Sequence, residues 1–388
     1  EVPDEHWALI EKRIRWMKLP VVRMMMQTRW CLREGGLFDW ESPEMKALYR
    51  HLDLCQREKI KVILTDWGCE PGWLRAPGIR DTADPAFAAA IGRYLDHLLN
   101  TKGYTCIKYF ILVNEPDLEV GNYERWRQGV RQVASELSAR SLEGKVSLLG
   151  PDASQCRRSW FDRTLGDLHD VLGGYDLHLY ATDRTARAGA LEDHWRKLWR
   201  QTLQGSAKTP GRPLIVGEAG LNDSAAHPRG NNTIDRYEYG LFMADYAVQA
   251  ARAGSHSVLA WMLDDNSHRD FFWGAWSESA KGLKLRPWFY PWSLLSRYFP
   301  AGSTLYRPVQ QLRDVHLLAG RTSDGNWTFC IVNRRDRAVT TAFQAQAKER
   351  YFRLYLYSAS EALKSDENGF PLPVEEWKVN PGSGLELT

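Results

Sequence analysis

Residues 107–116, with the sequence Ile-Lys-Tyr-Phe-Ile-Leu-Val-Asn-Glu-Pro, decide the fold that we predict for this chain. The first seven residues form an apolar run that is typical of a buried β-strand. The run ends at Asn114 and Glu115, polar residues that the interior of a buried strand rarely carries. A helical pattern over residues 122–140 follows. The stretch is therefore one strand–helix unit with polar residues at the end of its strand.

The same alternation extends along the chain in both directions. It predicts seven strands, at residues 21–26, 62–67, 107–113, 146–149, 175–180, 213–216 and 257–262. It predicts helices at residues 4–18, 43–59, 85–100, 122–140, 160–172, 189–204, 233–252 and 287–298. Such alternation is typical of the α/β class and favours a parallel TIM (β/α)8 barrel. Because the chain opens on a helix, we expect the barrel's first strand to lie upstream of Glu1 or to be absent.

The sequence period changes after Pro300. Short apolar or alternating runs separated by turn-forming residues follow, at residues 315–321, 327–333, 338–344 and 351–357. We predict a barrel over residues 1–298 and a small antiparallel β-sandwich domain over residues 299–388. Four strands are few for a sandwich, so upstream residues are expected to complete it.

The composition excludes several classes of protein. The 388 residues, 44% hydrophobic and 26% charged, have the balance of a globular protein with a sizeable core. Fifty-one Lys and Arg against 48 Asp and Glu leave a net charge of +3, which argues against a nucleic-acid or membrane-surface partner. No apolar run approaches the roughly 18–20 residues that span a bilayer. Oligomeric state is not readable from the sequence.

The six cysteines show no Cys-x-x-Cys spacing, which argues against zinc or thioredoxin-type sites. Cys55 and Cys106 lie in apolar helix and strand contexts and are predicted to be buried thiols. Cys31 and Cys69 follow two successive predicted strands, and a disulfide between them stays open. No signal peptide is readable from Glu1 onward, and a secreted or periplasmic location is favoured over a cytoplasmic one.

Two glutamates stand where a parallel barrel places its reacting groups, at the carboxyl ends of strands. Glu115 follows the third predicted strand, and Glu218 follows the sixth. A carboxylate at the end of a buried strand is costly unless it is hydrogen-bonded or used. One interpretation is that each pairs with a neighbouring arginine. Asn114 before one glutamate and Gly217 before the other favour the second interpretation, a pair of reacting carboxyl groups.

Asn114-Glu115-Pro116, followed three strands later by Gly217-Glu218, resembles the retaining glycoside hydrolases of clan A. The arrangement is most similar to families 5, 30 and 39. In that clan an Asn-Glu pair ending strand four carries the acid/base, and a second Glu ending strand seven is the nucleophile. The same count makes residues 21–26 strand two of the clan's barrel, which again places the missing strand upstream.

Other positions match the clan one by one over residues 4–298. Arg23 resembles the strand-two arginine that holds the nucleophile's carboxylate. His178 and Tyr180 match the His-x-Tyr of strand six, which binds near the nucleophile and the substrate. Trp261 matches the strand-eight tryptophan that forms the floor of the subsite for the reacting sugar. Each of these residues also has a purely structural interpretation. The arginine could form an ion pair inside the barrel, and the histidine could be a buried side chain with its hydrogen bonds made within the protein. The tyrosine could donate to a backbone carbonyl, and the tryptophan could pack in the core.

The resemblance implies a retaining hydrolase of β-linked glycosides or polysaccharides, with a carbohydrate as its partner and no metal or organic cofactor. Glu115 would be the acid/base and Glu218 the nucleophile, in the double-displacement mechanism that two close carboxyl groups allow. Asn114 would bind the sugar 2-hydroxyl.

Further residues are candidates for substrate contact. Asp66 and Trp67 end the second predicted strand and are expected to reach the cleft. The same is expected of Trp30, Asp223, His227, Asp264 and His268. Most tryptophans of a chain fill its core, but five of the 17 fall in polar loops, where flat rings suit sugar faces: Trp30, Trp67, Trp73, Trp273 and Trp276.

Two other classes of function stay open. One is a carbohydrate-binding barrel that has lost catalysis. The other is a metal-dependent barrel hydrolase, which needs clustered histidine ligands. Only His178 stands at a strand end, which argues against the metal-dependent class.

Overall fold

Seven parallel strands form one sheet with the order β1 to β7. The computed structural model describes residues 2–205, 211–223, 230–265, 272–309, 312–343, 350–360, 363–379 and 385–387. The strands are Val21–Met26 (β1), Lys61–Asp66 (β2), Ile107–Ile111 (β3), Ser147–Ala153 (β4), Leu172–Ala181 (β5), Leu214–Leu221 (β6) and Ser257–Ala260 (β7). Residues of β1 and β7 approach each other, so the sheet is a nearly closed barrel. The predicted α/β barrel with seven strands is confirmed.

Helices connect the strands and cover the outside of the sheet. They are Asp4–Met17 (α1), Pro43–Arg57 (α2), Pro85–Asp96 (α3), Pro116–Glu119 (α4), Tyr123–Ala139 (α5), Arg158–Asp167 (α6), Asp183–Arg187 (α7), Ala190–Gly205 (α8), Tyr237–Ala253 (α9) and Phe289–Tyr298 (α10). A π-helical turn at His97–Thr101 extends α3. The starts of α2 and α3 follow their sequence signals, since Ser42 and Asp84 cap the helices and a proline occupies the first turn of each.

The prediction was wrong at the start of β5. The predicted helix over residues 160–172 ends at Asp167, and the strand begins at Leu172 rather than Tyr175. Gly173 and Gly174 lie in this strand, where a Cβ atom would come within 2.5 Å of Ser147 and 2.8 Å of Leu149. Close packing requires glycine here, and glycine carries no strand signal.

The antiparallel strands of the described residues all follow α10. They are Thr304–Tyr306 (β8), Val315–Arg321 (β9), Trp327–Asn333 (β10), Thr341–Phe343 (β11), Arg350–Leu354 (β12), Glu375–Val379 (β13) and Leu385–Leu387 (β14). They pair as a three-stranded sheet, β10-β9-β8, and as two ladders, β11-β14 and β12-β13. The short strands β8, β13 and β14 were not predicted, because three to five residues give too few alternations to show a period.

The three-stranded sheet packs on the barrel through α9. Leu318 of β9 and Val332 of β10 are buried against Ala244 and Val248 of this helix. The contact fixes the antiparallel sheet to the outside of the barrel.

Shortening Leu318 to alanine is expected to lower the free energy of unfolding by about 2–5 kcal/mol, because its side chain is only 3% exposed and would leave a cavity. Leu305→Ala is the matched control, since Leu305 is 41% exposed, and its effect should stay within about 0.5 kcal/mol. Urea unfolding of both variants measures the difference. Equal effects would contradict the packing described here.

The lower part of the barrel interior is filled by aliphatic side chains. Ile63, Ile111, Leu149 and Ile215, from four different strands, form one buried cluster. Branched side chains of this kind fill the layers of a parallel barrel. The polar residues of the site lie further along the same strands, above this apolar floor.

All six cysteines lie within the described residues and are free thiols. Cys31 and Cys69 are buried and unpaired, so the open question of a disulfide between them is answered in the negative. Cys55 and Cys106 are buried, as predicted. Among the described residues, none of the helices has the length and apolarity that crossing a bilayer requires.

Candidate active site

Side chains from four strands and the segments that follow them meet at the carboxyl ends of the barrel. Arg23 lies on β1, Glu115 lies between the end of β3 and the start of α4, His178 and Tyr180 lie on β5, and Glu218 lies on β6. Strand alternation puts residues 178 and 180 on the same face, toward the barrel axis. The structure thus brings together the arginine, the His-x-Tyr pair and both glutamates that the sequence singled out.

Glu218 is a buried carboxylate with two strong donors. Arg23 donates from Nη1 to Oε1 at 2.6 Å, and Tyr180 donates its hydroxyl to Oε2 at 2.8 Å. Burial and the adjacent Glu218 carboxylate hold the pKa of Tyr180 well above its ordinary value, so the hydroxyl keeps its proton. Charge-assisted bonds of this kind offset the cost of burying the charge and fix its orientation. Both oxygens of Glu218 therefore have a donor, and the side chain is held in place.

Arg23 is the cation at the centre of the site. Burial alone would lower its pKa, but the carboxylates of Asp152 and Glu218 outweigh burial and hold the pKa above its ordinary value. Its remaining donors reach Thr65 from Nε at 3.0 Å and Asn114 Oδ1 from Nη2 at 2.9 Å. A planar guanidinium with donors in fixed directions suits this branched contact.

Glu115 is placed differently from Glu218. It precedes α4 in a left-handed backbone conformation with φ 42°, which is uncommon for a residue with a side chain. Its side chain is 21% exposed, against 6% for Glu218. His178 Nδ1 lies 2.9 Å from its Oε1. One glutamate is enclosed by donors and the other has contact with solvent.

The two glutamates are close to each other. An oxygen of Glu115, an oxygen of Glu218 and a ring nitrogen of His178 all lie within 4.8 Å of one another. Carboxyl groups about 5–5.5 Å apart suit attack by one of them on a sugar, whereas about 6.5–9.5 Å leaves room for a water molecule between sugar and base. The arrangement can therefore support direct attack by a carboxylate.

Asp152 and Asp176 belong to the same site, and sequence reasoning missed both. Asp152 Oδ2 accepts from Arg23 Nη2 at 2.8 Å, and its Oδ1 lies 2.8 Å from His178 Nε2. The predicted strand stopped at Leu149 because Gly150-Pro151 indicates a turn, whereas β4 continues to Ala153. Asp176 could have been found, since it lies two residues before His178 and four before Tyr180 and therefore shares their face of the strand.

One predicted substrate contact, Asp66, does not reach the cleft. Asp66 has no exposed surface and accepts from the backbone and hydroxyl of Thr28 and from the backbone of Gly68, so it anchors loops instead of reaching the cleft. Burial raises its pKa to about 7. His178 is fully buried and contacts the carboxyl groups of Glu115 and Asp152, so its predicted place near the nucleophile is what the structure has, and its contact with substrate stays a prediction.

The aromatic candidates have different positions. Trp67 and Trp261 are half-buried and directly follow β2 and β7. Trp273 is 8% exposed and packs edge-on against Tyr180 with 5.6 Å between ring centroids. Trp276 is fully buried and belongs to the core, whereas Trp73 is 62% exposed.

The remaining candidates are less informative. Trp30, Asp223 and Asp264 are half-buried, and Asp223 accepts from the hydroxyl of Thr233 at 3.5 Å. His227 and His268 lie outside the described residues.

The donor set does not have the character of a metal centre. Of the carboxylates around His178, those of Asp152 and Glu218 already accept hydrogen bonds from Arg23, Tyr180 and the imidazole. A guanidinium inside the set repels a cation. The cluster is an ion-paired network that orients two carboxyl groups.

Fold and site together define a parallel barrel protein with two paired carboxyl groups, one between its third described strand and the helix that follows and the other within the sixth strand. No family model matches the sequence. No curated protein matches it either. The comparison with solved structures gives full-length matches, and several of these are glycoside hydrolases of clan A.

Three of them are a family 39 glycoside hydrolase from Bacteroides cellulosilyticus WH2, a family 30 xylanase from Talaromyces cellulolyticus and a family 51 arabinofuranosidase from Xanthomonas axonopodis pv. citri. The family 39 enzyme is 13% identical, with a TM-score of 0.67 over 99% of this chain and 78% of its own. The family 30 enzyme is 12% identical, with a TM-score of 0.63 over 95% and 90%. The family 51 enzyme is 13% identical, with a TM-score of 0.62 over 97% and 86%. The chain therefore has the fold of these hydrolases, and the predicted resemblance to clan A is confirmed at the level of the fold.

Proposed function

We propose that this chain is a retaining O-glycoside hydrolase that cleaves β-linked glycosides or polysaccharides by double displacement. Glu218 is the nucleophile and Glu115 the acid/base. The observation that carries the proposal is the separation of their carboxylate oxygens, within 4.8 Å. The fold shared with families 39, 30 and 51 supports it.

In the first step Glu218 attacks the anomeric carbon and Glu115 gives its proton to the leaving oxygen. The glycosidic bond breaks and an ester bond to Glu218 forms. Arg23 and Tyr180, the two donors on Glu218, fix the orientation of its carboxylate. The partial exposure of Glu115 lets it exchange protons with solvent.

In the second step Glu115, now a carboxylate, takes a proton from a water molecule as the water attacks the anomeric carbon. The ester bond breaks and the Glu218 carboxylate is restored. Asn114 contributes to both steps. Because its Oδ1 accepts from Arg23, its amide nitrogen is the group that can donate to the sugar 2-hydroxyl.

The stereochemistry of the product tests the proposal. The native protein is incubated with aryl β-xylosides, β-glucosides and α-L-arabinofuranosides, and the first-formed anomer is read by proton NMR. We expect the first-formed sugar to have the same anomeric configuration as the substrate. The inverted anomer would overturn the retaining mechanism. Sugar binding without any product would favour the non-catalytic barrel.

Replacing Tyr180 by phenylalanine is expected to lower kcat/KM by roughly 10- to 100-fold. The variant loses one hydrogen bond to a charged group, worth about 1.5–3 kcal/mol. Steady-state kinetics on the best aryl glycoside measures the loss. Tyr49→Phe is the matched control, since this buried tyrosine on α2 donates to the Trp40 backbone, away from the site. Tyr180→Phe with native kinetics would exclude its role on Glu218.

A further inference from the structure

Asp152 joins the two carboxyl groups of the site through two cations. It is fully buried at the end of β4, with φ 57°. Its Oδ2 accepts from Arg23, which donates to Glu218 at 2.6 Å. Its Oδ1 lies 2.8 Å from His178 Nε2, and the other ring nitrogen lies 2.9 Å from Glu115. Asp152 thus contacts both Arg23, which donates to Glu218, and His178, which contacts Glu115.

Asp176 lies beside Asp152, and its surroundings favour the neutral, protonated form of its carboxyl group. Oxygens of the two aspartates and a ring nitrogen of His178 lie within 4.8 Å of one another. With both aspartates ionised, neither oxygen of Asp176 has a hydrogen-bond partner. Burial and the charge of Asp152 raise the pKa of Asp176 well above its ordinary value. When Asp176 is protonated, its hydroxyl can donate to Asp152, and no unpaired negative charge is left buried at Asp176.

Asp152 is the ionised member of the pair. Burial would raise its pKa, but Arg23 and His178 outweigh burial and lower it. The pKa of His178 is raised well above its ordinary value, because Asp152 and Glu218 outweigh the opposing effect of burial. Four carboxyl groups face His178: Asp152 from β4, Asp176 from β5, Glu218 from β6 and Glu115 after β3. Arg23 on β1 lies on the other side of Asp152.

These charges balance when Glu115 carries a proton. Arg23 and His178 are two cations, and Asp152 and Glu218 are two anions. When Glu218 becomes an ester and Glu115 gives up its proton, the anion moves from one glutamate to the other and the balance is kept. His178 Nδ1 is placed for both, 2.9 Å from Glu115 and 3.6 Å from Glu218.

We infer that Asp152 is a positioning residue that keeps His178 as an imidazolium directed at Glu115 and holds Arg23 against Glu218. The inference rests on the proposed function for its catalytic consequence. Its structural part, the charge on His178, is independent of activity.

Asp152→Asn tests the inference, since asparagine has the same shape without the charge. ¹⁵N NMR of histidine-labelled protein, with His178 assigned by a His178→Gln variant, reports the imidazole charge. We expect a cationic His178 at pH 8 in the native protein and a neutral one in Asp152→Asn. A neutral His178 in the native protein at pH 7 would overturn the inference, and this measurement stands if the variant fails to fold. A cationic His178 in the variant would also overturn it.

The pH profile of kcat/KM provides the second readout. Because a cation that faces the acid/base is lost with the imidazolium, the basic limb is expected to move to higher pH, with a roughly 10- to 100-fold loss at the optimum. A purely structural role would lower activity at every pH without moving the limb, and that result would contradict the inference. If the native protein cleaves no glycoside, the proposed function fails while NMR still decides the role of Asp152.

Two further variants serve as controls. Asp245→Asn removes a buried aspartate that also contacts a histidine, His316, and an arginine, Arg334, but lies on α9 outside the barrel. It should leave the charge of His178 and the pH profile unchanged. Asp176→Asn keeps a neutral donor beside Asp152, so His178 should stay cationic. Loss of the imidazolium in either variant would contradict the assignment of its charge to Asp152.

Discussion

Glu218→Gln is expected to lower hydrolysis by about 10⁴-fold or more, with the fold intact. The amide has nearly the shape of the carboxylate, so Arg23 and Tyr180 keep a neighbour of the same size. It has no charge with which to attack the anomeric carbon, and no covalent intermediate can form. The variant is assayed on the best aryl glycoside at saturating concentration.

Glu192→Gln is the control for burial of a glutamate. Glu192 is 3% exposed and pairs with Arg252 on the outside of the barrel, so its loss should reduce stability and leave the rate unchanged. Thermal unfolding shows whether each variant is folded. A folded Glu218→Gln protein with native turnover would exclude Glu218 as the nucleophile.

Glu115→Ala is expected to separate the two chemical steps. Without an acid, cleavage of substrates with poor leaving groups should slow by roughly 10²–10⁴-fold, whereas aryl glycosides with good leaving groups should still form the intermediate. Without a base, hydrolysis of that intermediate becomes slow. Azide is a nucleophile that needs no base and fits the space left by the side chain, so it should restore turnover and give a glycosyl azide of retained configuration.

The same experiment on Glu218→Ala has the opposite outcome. Azide then takes the place of the Glu218 carboxylate and attacks the anomeric carbon directly, so the glycosyl azide should have inverted configuration. If the Glu218 variant gave a glycosyl azide of retained configuration and the Glu115 variant gave one of inverted configuration, the two roles would be exchanged. No rescue of either variant would argue against double displacement.

Much of the barrel could be predicted, because its strands are continuous apolar runs and its helices are amphipathic. The errors fall where tertiary packing overrides the local signal. Gly173 and Gly174 lie inside β5 because the neighbouring strands approach too closely for a side chain. The short strands β8, β13 and β14 depend on their partners for stability, and short segments have no period to recognise.

The site was predictable where a polar residue ends an apolar strand, as at Glu115 and Glu218. The same rule failed for Asp66, which also ends a strand but is used to hold Thr28 and Gly68. Strand position tells which end of the barrel a side chain occupies. It does not tell whether the side chain turns toward the cleft or toward a loop. Asp152 was hidden by the turn signal of Gly150-Pro151 before it.

The central claim, a covalent intermediate on Glu218, is tested most directly with a 2-fluoro glycoside, in which slow breakdown of the intermediate lets it accumulate. Intact-protein mass spectrometry should show the mass increase of one fluorosugar. Peptide mapping should place it on Glu218, and Glu218→Gln should remain unlabelled. A label on another residue, or none from any sugar that the native protein hydrolyses, would contradict the account.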